Sequence, residues 1–231
     1  MRIYKKFTAI IVFVLILNIS ACHSHEFKRY EAQFITLFDT VTQIVSYMES
    51  KDIFSEHANQ IYDDLEEFHK LYDIYNLYPG IANIKSINDM AGQKPVKVDR
   101  KIIDLLLFSK EIFKKTNGKV NVGLGSVLSI WHNYRERGIE DPENSHLPPV
   151  DLLKEASIHT DIDNVIINEK ESTVFLEDPD LSLEVGSIAK GYAVEQVALR
   201  AIKRGFTSGL ISVGGNVKVI GTKKIRANLG I

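Results

Sequence analysis

Between Phe54 and Tyr72 the apolar residues Phe54, Ala58, Ile61, Leu65, Phe68 and Tyr72 recur at alternating spacings of four and three. That period belongs to a helix with one face to bury. Just before it, Phe34 to Tyr47 is rich in Val, Ile, Thr and aromatics and reads as a strand interrupted near Phe38-Asp39-Thr40. A long amphipathic helix beside strand sequence buries its face most readily against a sheet, so helix-on-sheet packing is the first expectation.

The rest of the chain repeats the mixture. Ile81, Ile84 and Ile87 suit a short helical segment, Pro95 to Val98 suits an edge strand, and Asp99 can cap a helix that runs to Thr116 and stops at Asn117-Gly118. A further helix is expected from about Gly125 to Arg137, with Leu124, Val127, Leu128 and Trp131 on one side, followed by a polar surface connection from Asp141 to Pro149. Val165-Ile166-Ile167 and Thr173 to Leu176 form a hairpin pattern, Leu181 to Val185 another strand, and Ile188 to Lys203 a helix with the small-residue stripe Ala189, Ala193, Val197 and Ala201. Gly205 ends that helix, and Leu210 to Val213, the turn Gly214-Gly215-Asn216 and Val217 to Ile220 close the pattern. The fold class is α+β, with mixed or antiparallel sheets flanked by helices.

With 45% apolar and 25% charged residues the chain is neither disordered nor a polytopic membrane protein. A formal charge of −2 supplies no basic field for nucleic acid, and a single Cys makes no internal disulfide. That Cys has a context. Arg2, Lys5 and Lys6 precede a nearly unbroken apolar run from Phe7 to Leu17, and Ile19-Ser20-Ala21-Cys22 follows. The run is too short for a spanning helix, which needs roughly 20 residues, and matches a lipoprotein signal peptide. Residues 1–21 are therefore expected to be a leader, Cys22 the acylated first residue of a domain covering 22–231, and the protein an extracytoplasmic, lipid-anchored one on a cell membrane. His23 and His25 read as linker.

The chemistry-bearing candidates are few. Glu184-Val185-Gly186-Ser187-Ile188-Ala189-Lys190-Gly191-Tyr192 takes a strand into a helix across small residues, which is either a tight turn or a phosphate site with helix-start amides open to an anion and Lys190 adding charge. Gly186 and Gly191 have P-loop spacing, but Gly191-Tyr192-Ala193 replaces the required Gly-Lys-Ser/Thr, and Gly123-x-Gly125 lacks the third glycine of a dinucleotide fingerprint. The acidic run Asp63, Asp64, Glu66 and Glu67 reads as a solvated helix face. His57 and His69 on the same helix are expected at the surface, and His132, His146 and His159 have no metal-ligand spacing.

Four separated pieces occur in order: Phe38-Asp39-Thr40-Val41, Val120-Asn121-Val122-Gly123 leading to Ile130-Trp131, Gly186 to Ala193, and Ser212-Val213-Gly214-Gly215-Asn216-Val217. Together with the lipobox, this set resembles the FAD:protein FMN transferases, the ApbE-like flavin transferases once called thiamine-biosynthesis lipoproteins. The resemblance implies a T-fold-like architecture and Mg²⁺-dependent transfer of FMN from FAD to a Thr hydroxyl, with release of AMP. It also implies acceptor flavoproteins such as subunits of membrane redox pumps. By position, Phe38 stands where the family has Met, Tyr78 matches an aromatic flavin contact, and Lys119-Val120-Asn121 matches an Ala-Phe-Asp that touches FAD. Glu184 replaces a cofactor-contacting Asp, Ser187 matches a metal ligand and Lys190 a further FAD contact. Members of the family continue beyond the position of Ile231 and supply Asp and Thr metal ligands there, so the chain is expected to be C-terminally incomplete. The alternative reading is a non-catalytic FAD-binding lipoprotein.

Overall fold

The structure, a computed structural model, describes residues 27–222. The expected leader, Cys22, His23 and His25 lie outside those residues. Strands β1 (Lys28–Leu37), β2 (Thr40–Met48), β6 (Gly209–Val213) and β7 (Asn216–Ile220) form a four-stranded sheet in the order β1-β2-β6-β7. Each neighbouring pair is antiparallel, with Ile44 opposite Ile211 and Leu210 opposite Val219. A second sheet orders β3 (Val96–Lys97), β5 (Thr173–Leu176) and β4 (Val165–Asn168), again antiparallel. Of the two arrangements open to the sequence, both sheets are antiparallel.

Helix α1 (Lys51–Tyr72) buries Phe54, Ala58, Ile61, Leu65, Phe68 and Tyr72, the set that its period demands, and Ser50 caps its start by accepting from the Ile53 N–H. It lies with α6 (Gly186–Lys203) on one face of the four-stranded sheet. Thr42, Ile44, Ser46 and Met48 of β2 and Ile211 and Val213 of β6 point into that layer, while the alternate residues face outward. The small residues Ala189, Ala193, Ala198 and Ala201 let α6 approach closely, and all are buried.

The acidic run on α1 is more than a solvated face. Arg200 of α6 donates to Asp64 Oδ1 at 2.9 Å and Glu67 Oε2 at 2.8 Å, Arg204 pairs with Asp64, and the Arg200 guanidinium lies 4.9 Å from the Phe68 ring centroid. These half-buried pairs pin α1 to α6 across the top of the core. Arg side chains one turn apart on α6 supply the partners, so an acidic patch read from α1 alone misses them.

Helix α2 (Ile84–Asn88) and helix α3 (Arg100–Lys115) complete this layer, with Asp99 accepting from the Lys101 N–H and Asn117-Gly118 leaving α3 at φ of 51° and 78°. Helix α4 (Gly125–Glu140) differs: it runs past the expected end at Arg137 and buries only Gly125. It leans on α5 (Val150–Ser157), a helix that begins directly after the expected connection and that the sequence reading does not name. Leu181 to Val185, expected as a strand, belongs to neither sheet: Ser182 makes an isolated bridge, and Val185 already has helical backbone angles as the residue before α6. Among the described residues no helix is long and apolar enough to cross a membrane.

Phe68 sits under both the sheet layer and the arginine clamp with 1% of its surface exposed. Phe68→Ala is expected to cost about 3–5 kcal/mol, the range for deleting a buried ring. Urea denaturation of wild type and variant, with unchanged slope, measures it.

Candidate functional site

Two extended segments cross at the centre of the site. Glu184 N–H donates to Val122 O at 2.7 Å, Gly125 N–H donates to Ser182 O at 2.9 Å, and Leu124 pairs with Ser182 in a parallel bridge. The approach is close because Gly125 has no side chain; a Cβ there would run into the Ser182 carbonyl. Leu181, Leu183 and Val185 are buried and turn Ser182 and Glu184 to the other side, the alternation of a strand without its sheet. Asn88 holds the segment like a ladder partner, donating to Leu183 O at 3.0 Å and accepting from Leu183 N–H at 2.8 Å.

The crossing brings together residues more than sixty positions apart. A cavity of about 300 Å³ is lined by Lys119, Val120, Asn121, Glu184 and Ser187, all singled out in the sequence, together with Leu124, Leu128 and Gly186. Asn121 is committed to structure: its amide donates to Thr160 O and accepts from Gly123 N–H, both at 2.8 Å, which shapes the loop. At the start of α6, where the sequence left a tight turn and a phosphate site both open, the first amide is already engaged: Glu184 Oε1 accepts from the Gly186 N–H at 2.6 Å. Positive charge in the lining comes from Lys119, which has no carboxylate partner among the described residues, whereas Lys190, singled out in the sequence, lies one turn further into α6 and lines neither this cavity nor the neighbouring cleft.

Leu128 and Glu184 are shared with a larger cleft of about 1130 Å³ between α4 and the loop after α1. Its walls carry Tyr75, Trp131, His132 and Arg135. The Tyr75 and His132 rings lie 5.4 Å apart at 31°, and Trp131 is 42% exposed. Ligand pockets typically span about 300–1,000 Å³, so the cleft has room for a ligand with two ring systems. Burial, and then the nearby Glu184 carboxylate, push the Tyr75 phenol up from its ordinary value.

Phe38 and Tyr78 line neither cavity; they connect to the cleft wall through Asp73, which accepts from both Tyr78 Oη and the Tyr75 N–H. Phe38 and Asp39 form the β1–β2 turn with φ of 54° and 50°, a left-handed conformation unusual outside glycine. His69 of α1 is part-buried rather than a surface residue: its Nδ1 accepts from Phe38 N–H at 3.3 Å, and its Nε2 lies 3.4 Å from Tyr78 Oη. His57 is also part-buried, its ring 5.6 Å from that of Phe206. Tyr78 Oη donates to Asp73 Oδ2 at 2.7 Å, and burial with that bond pushes the phenol up to about 12. Burial works against the Asp73 carboxylate, but the bonds from Tyr78 Oη, Tyr75 N–H and Asn76 hold it below the ordinary carboxylate range. The β6–β7 turn lies alongside: Gly214 N–H donates to Val41 O at 3.0 Å, and a Cβ on Gly214 would sit 2.8 Å from Thr40 Oγ1. Gly214 is therefore favoured by packing against the Phe38 turn as well as by its φ of 53°, whereas Gly215 is favoured by its φ of 84° alone.

Tyr75, His132 and Arg135 of the cleft, and His69 and Asp73, escaped sequence reading. The one available signal was Asp73-Ile74-Tyr75-Asn76, whose leading Asp can fold back on the amides that follow.

As arranged, the Ser187 surroundings do not fit Mg²⁺. Ser187 and a Glu184 with one oxygen already engaged are far short of a near-octahedral oxygen shell. The metal-capable grouping among the described residues is His159, Asp178 and Asp180. It does not include Ser187, and its imidazole favours borderline transition metals over Mg²⁺.

The fold is that of the flavin transferases. The ApbE protein of Thermotoga maritima superposes with a TM-score of 0.70 at 25% identity, covering 85% of this chain and 60% of its own. The flavinyl transferase ApbE of Pseudomonas stutzeri, in its apo form, gives a TM-score of 0.70 at 18% identity and shares the fold. The ApbE family model matches residues 38–231, and the chain belongs to that family. Relatives named FAD:protein FMN transferase include one from Klebsiella pneumoniae, 26% identical over 150 residues, and one from Treponema pallidum, 29% identical over 146 residues. They align with 64% and 61% of this chain, which in turn spans 45% and 38% of their length.

Gly125→Ala is expected to force the crossing apart and cost about 1–3 kcal/mol, the range for overpacking; thermal unfolding checks it. A second measurement concerns His159, whose bond to Asp178 Oδ2 at 2.8 Å raises its pKa above the ordinary 6.5, with Asp180 and Glu155 acting in the same direction. Because the folded-state value is raised, the pair stabilises the fold fully below pH 6.5 and loses that contribution as pH rises through the raised value. His159→Gln is expected to flatten the fall in stability above pH 6.5. An unchanged slope would assign the fall to other groups.

Proposed function

We propose that this protein binds FAD in the joined cavities and transfers FMN to a Thr hydroxyl of acceptor proteins, releasing AMP. The observation that carries the reading is the convergence of 119–121 with 184–187: Lys119, without a carboxylate partner among the described residues, lines a cavity that shares Leu128 and Glu184 with a cleft walled by exposed aromatic rings. Lys119 suits the diphosphate and Tyr75 and Trp131 suit its planar ends, and the resemblance adds Lys190 to the first and Phe38 and Tyr78 to the second. In the transfer the acceptor oxygen bonds to the phosphorus of the FMN half, the diphosphate P–O bond breaks towards AMP, and the hydroxyl proton leaves with solvent or the AMP phosphate. Held lysines favour that step where negative charge grows on the leaving phosphate.

Mg²⁺ dependence belongs to this reading through the family resemblance. Acylation at Cys22, an extracytoplasmic membrane location and acceptors such as redox-pump subunits complete the proposal. They follow from the leader pattern and the resemblance. One observation favours the second reading, FAD binding without transfer: the incomplete oxygen shell at Ser187.

The test incubates the protein with FAD, Mg²⁺ and a Thr-bearing acceptor domain, reading covalent flavin fluorescence on the denatured acceptor and AMP by chromatography. The proposal expects both, with Lys190→Ala weakening FAD binding about tenfold or more, as loss of a charged contact does. FAD quenching without AMP or labelled acceptor would establish the second reading, and no quenching at all would defeat both.

A further inference from the structure

His69 links the two aromatic residues assigned to the flavin end of the site, and the direction of its hydrogen bonds is fixed by chemistry. The Phe38 main-chain N–H can only donate, so His69 Nδ1, 3.3 Å away, must carry the lone pair. The ring proton then resides on Nε2, which faces Tyr78 Oη at 3.4 Å. Tyr78 spends its own proton on Asp73 Oδ2 at 2.7 Å, leaving its oxygen to accept. The chain therefore runs one way, from Phe38 N–H through imidazole and phenol to a carboxylate that is 8% exposed and further held by Tyr75 N–H and Asn76.

The rings obey the same geometry. Phe38 meets His69 edge to face at 5.5 Å and 72°, and His69 meets Tyr78 at 6.3 Å and 68°. His69 sits in the last turn of α1, whose apolar face is locked in the core. The turn that it grips is strained, since Phe38 and Asp39 both hold positive φ without being glycine, and such a turn persists only where its surroundings hold it. We infer that His69, as the Nε2–H tautomer, is a positioning residue that fastens the Phe38 turn to Tyr78 and Asp73, holding both aromatic rings for a planar ring ligand. The inference rests on the reading of the site as a flavin dinucleotide site.

Its test compares His69→Asn, whose amide oxygen can replace Nδ1 as acceptor, with His69→Leu, which replaces neither nitrogen. Dissociation constants are measured for FAD by fluorescence quenching and for ADP by calorimetry, well below each thermal midpoint. His69→Leu is expected to weaken FAD about tenfold while leaving ADP unchanged, and His69→Asn to recover most of the loss, as the return of a single hydrogen bond allows. A general distortion would move FAD and ADP together, and that outcome, or no effect on either, overturns the inference while the functional reading stands. If wild type fails to bind FAD, the functional reading falls first. Nitrogen NMR of the imidazole then decides the tether on its own: a proton on Nε2 supports it, and a proton on Nδ1 overturns it.

Discussion

The site depends on one crossing of backbone. Where Val122 to Gly125 passes Ser182 to Glu184, two main-chain hydrogen bonds form only because Gly125 leaves space for the Ser182 carbonyl. Everything placed around the small cavity inherits its position from this contact: Lys119 to Asn121 arrive from the end of α3, and Glu184 and Ser187 lead into α6. A side chain at Gly125 would meet Ser182 and separate the two halves at the wall of the larger cleft, which both residues line. Such a glycine looks ordinary in the sequence, where it is simply the start of a helix.

Behind the crossing, the position of α6 is set by its packing on α1 and the sheet. Alanines on its inner face permit the approach, and the Arg200 and Arg204 pairs with Asp64 and Glu67 fix the rotation of one helix against the other. The rim pairs are partly solvated, so they add little stability singly, each worth roughly 0–1 kcal/mol. Their contribution is angular. A rotation of α6 would swing Ser187 and Lys190 away from Glu184, so the clamp at one end of the helix sets the geometry at the other.

Most elements could be read from the sequence because their signals are local. The four-and-three spacing on α1, Asp99 before α3, Asn117-Gly118 after it and the double glycine between β6 and β7 each depend on a few neighbouring residues. The misses share a cause as well. Leu181 to Val185 alternates like a strand, yet its partner is a loop and the Asn88 side chain, which no local pattern names. His69 and the acids of α1 look solvated on their own helix, because the groups that pair with them lie thirty and more than a hundred positions away. Site membership was legible for Lys119 to Asn121, Glu184 and Ser187 through the resemblance. The cleft walls were not, since Trp131 and Tyr75 are ordinary aromatics until α4 leaves them exposed.

The charge at the cavity follows from this arrangement in a way that the motif alone reverses. A helix start carries roughly half a positive charge and is the usual reason to place a phosphate there. In α6 that partial charge faces a full negative one, because Glu184 folds back on the Gly186 N–H. An anion at this position has the Glu184 carboxylate as a neighbour, which offsets the attraction of the helix dipole. The positive charge in the same lining is Lys119, which approaches from the end of α3 rather than from α6. The electrostatic preference of the site therefore depends on α3 and α6 being held in register, and a loosened crossing would leave Glu184 to repel what Lys119 no longer binds.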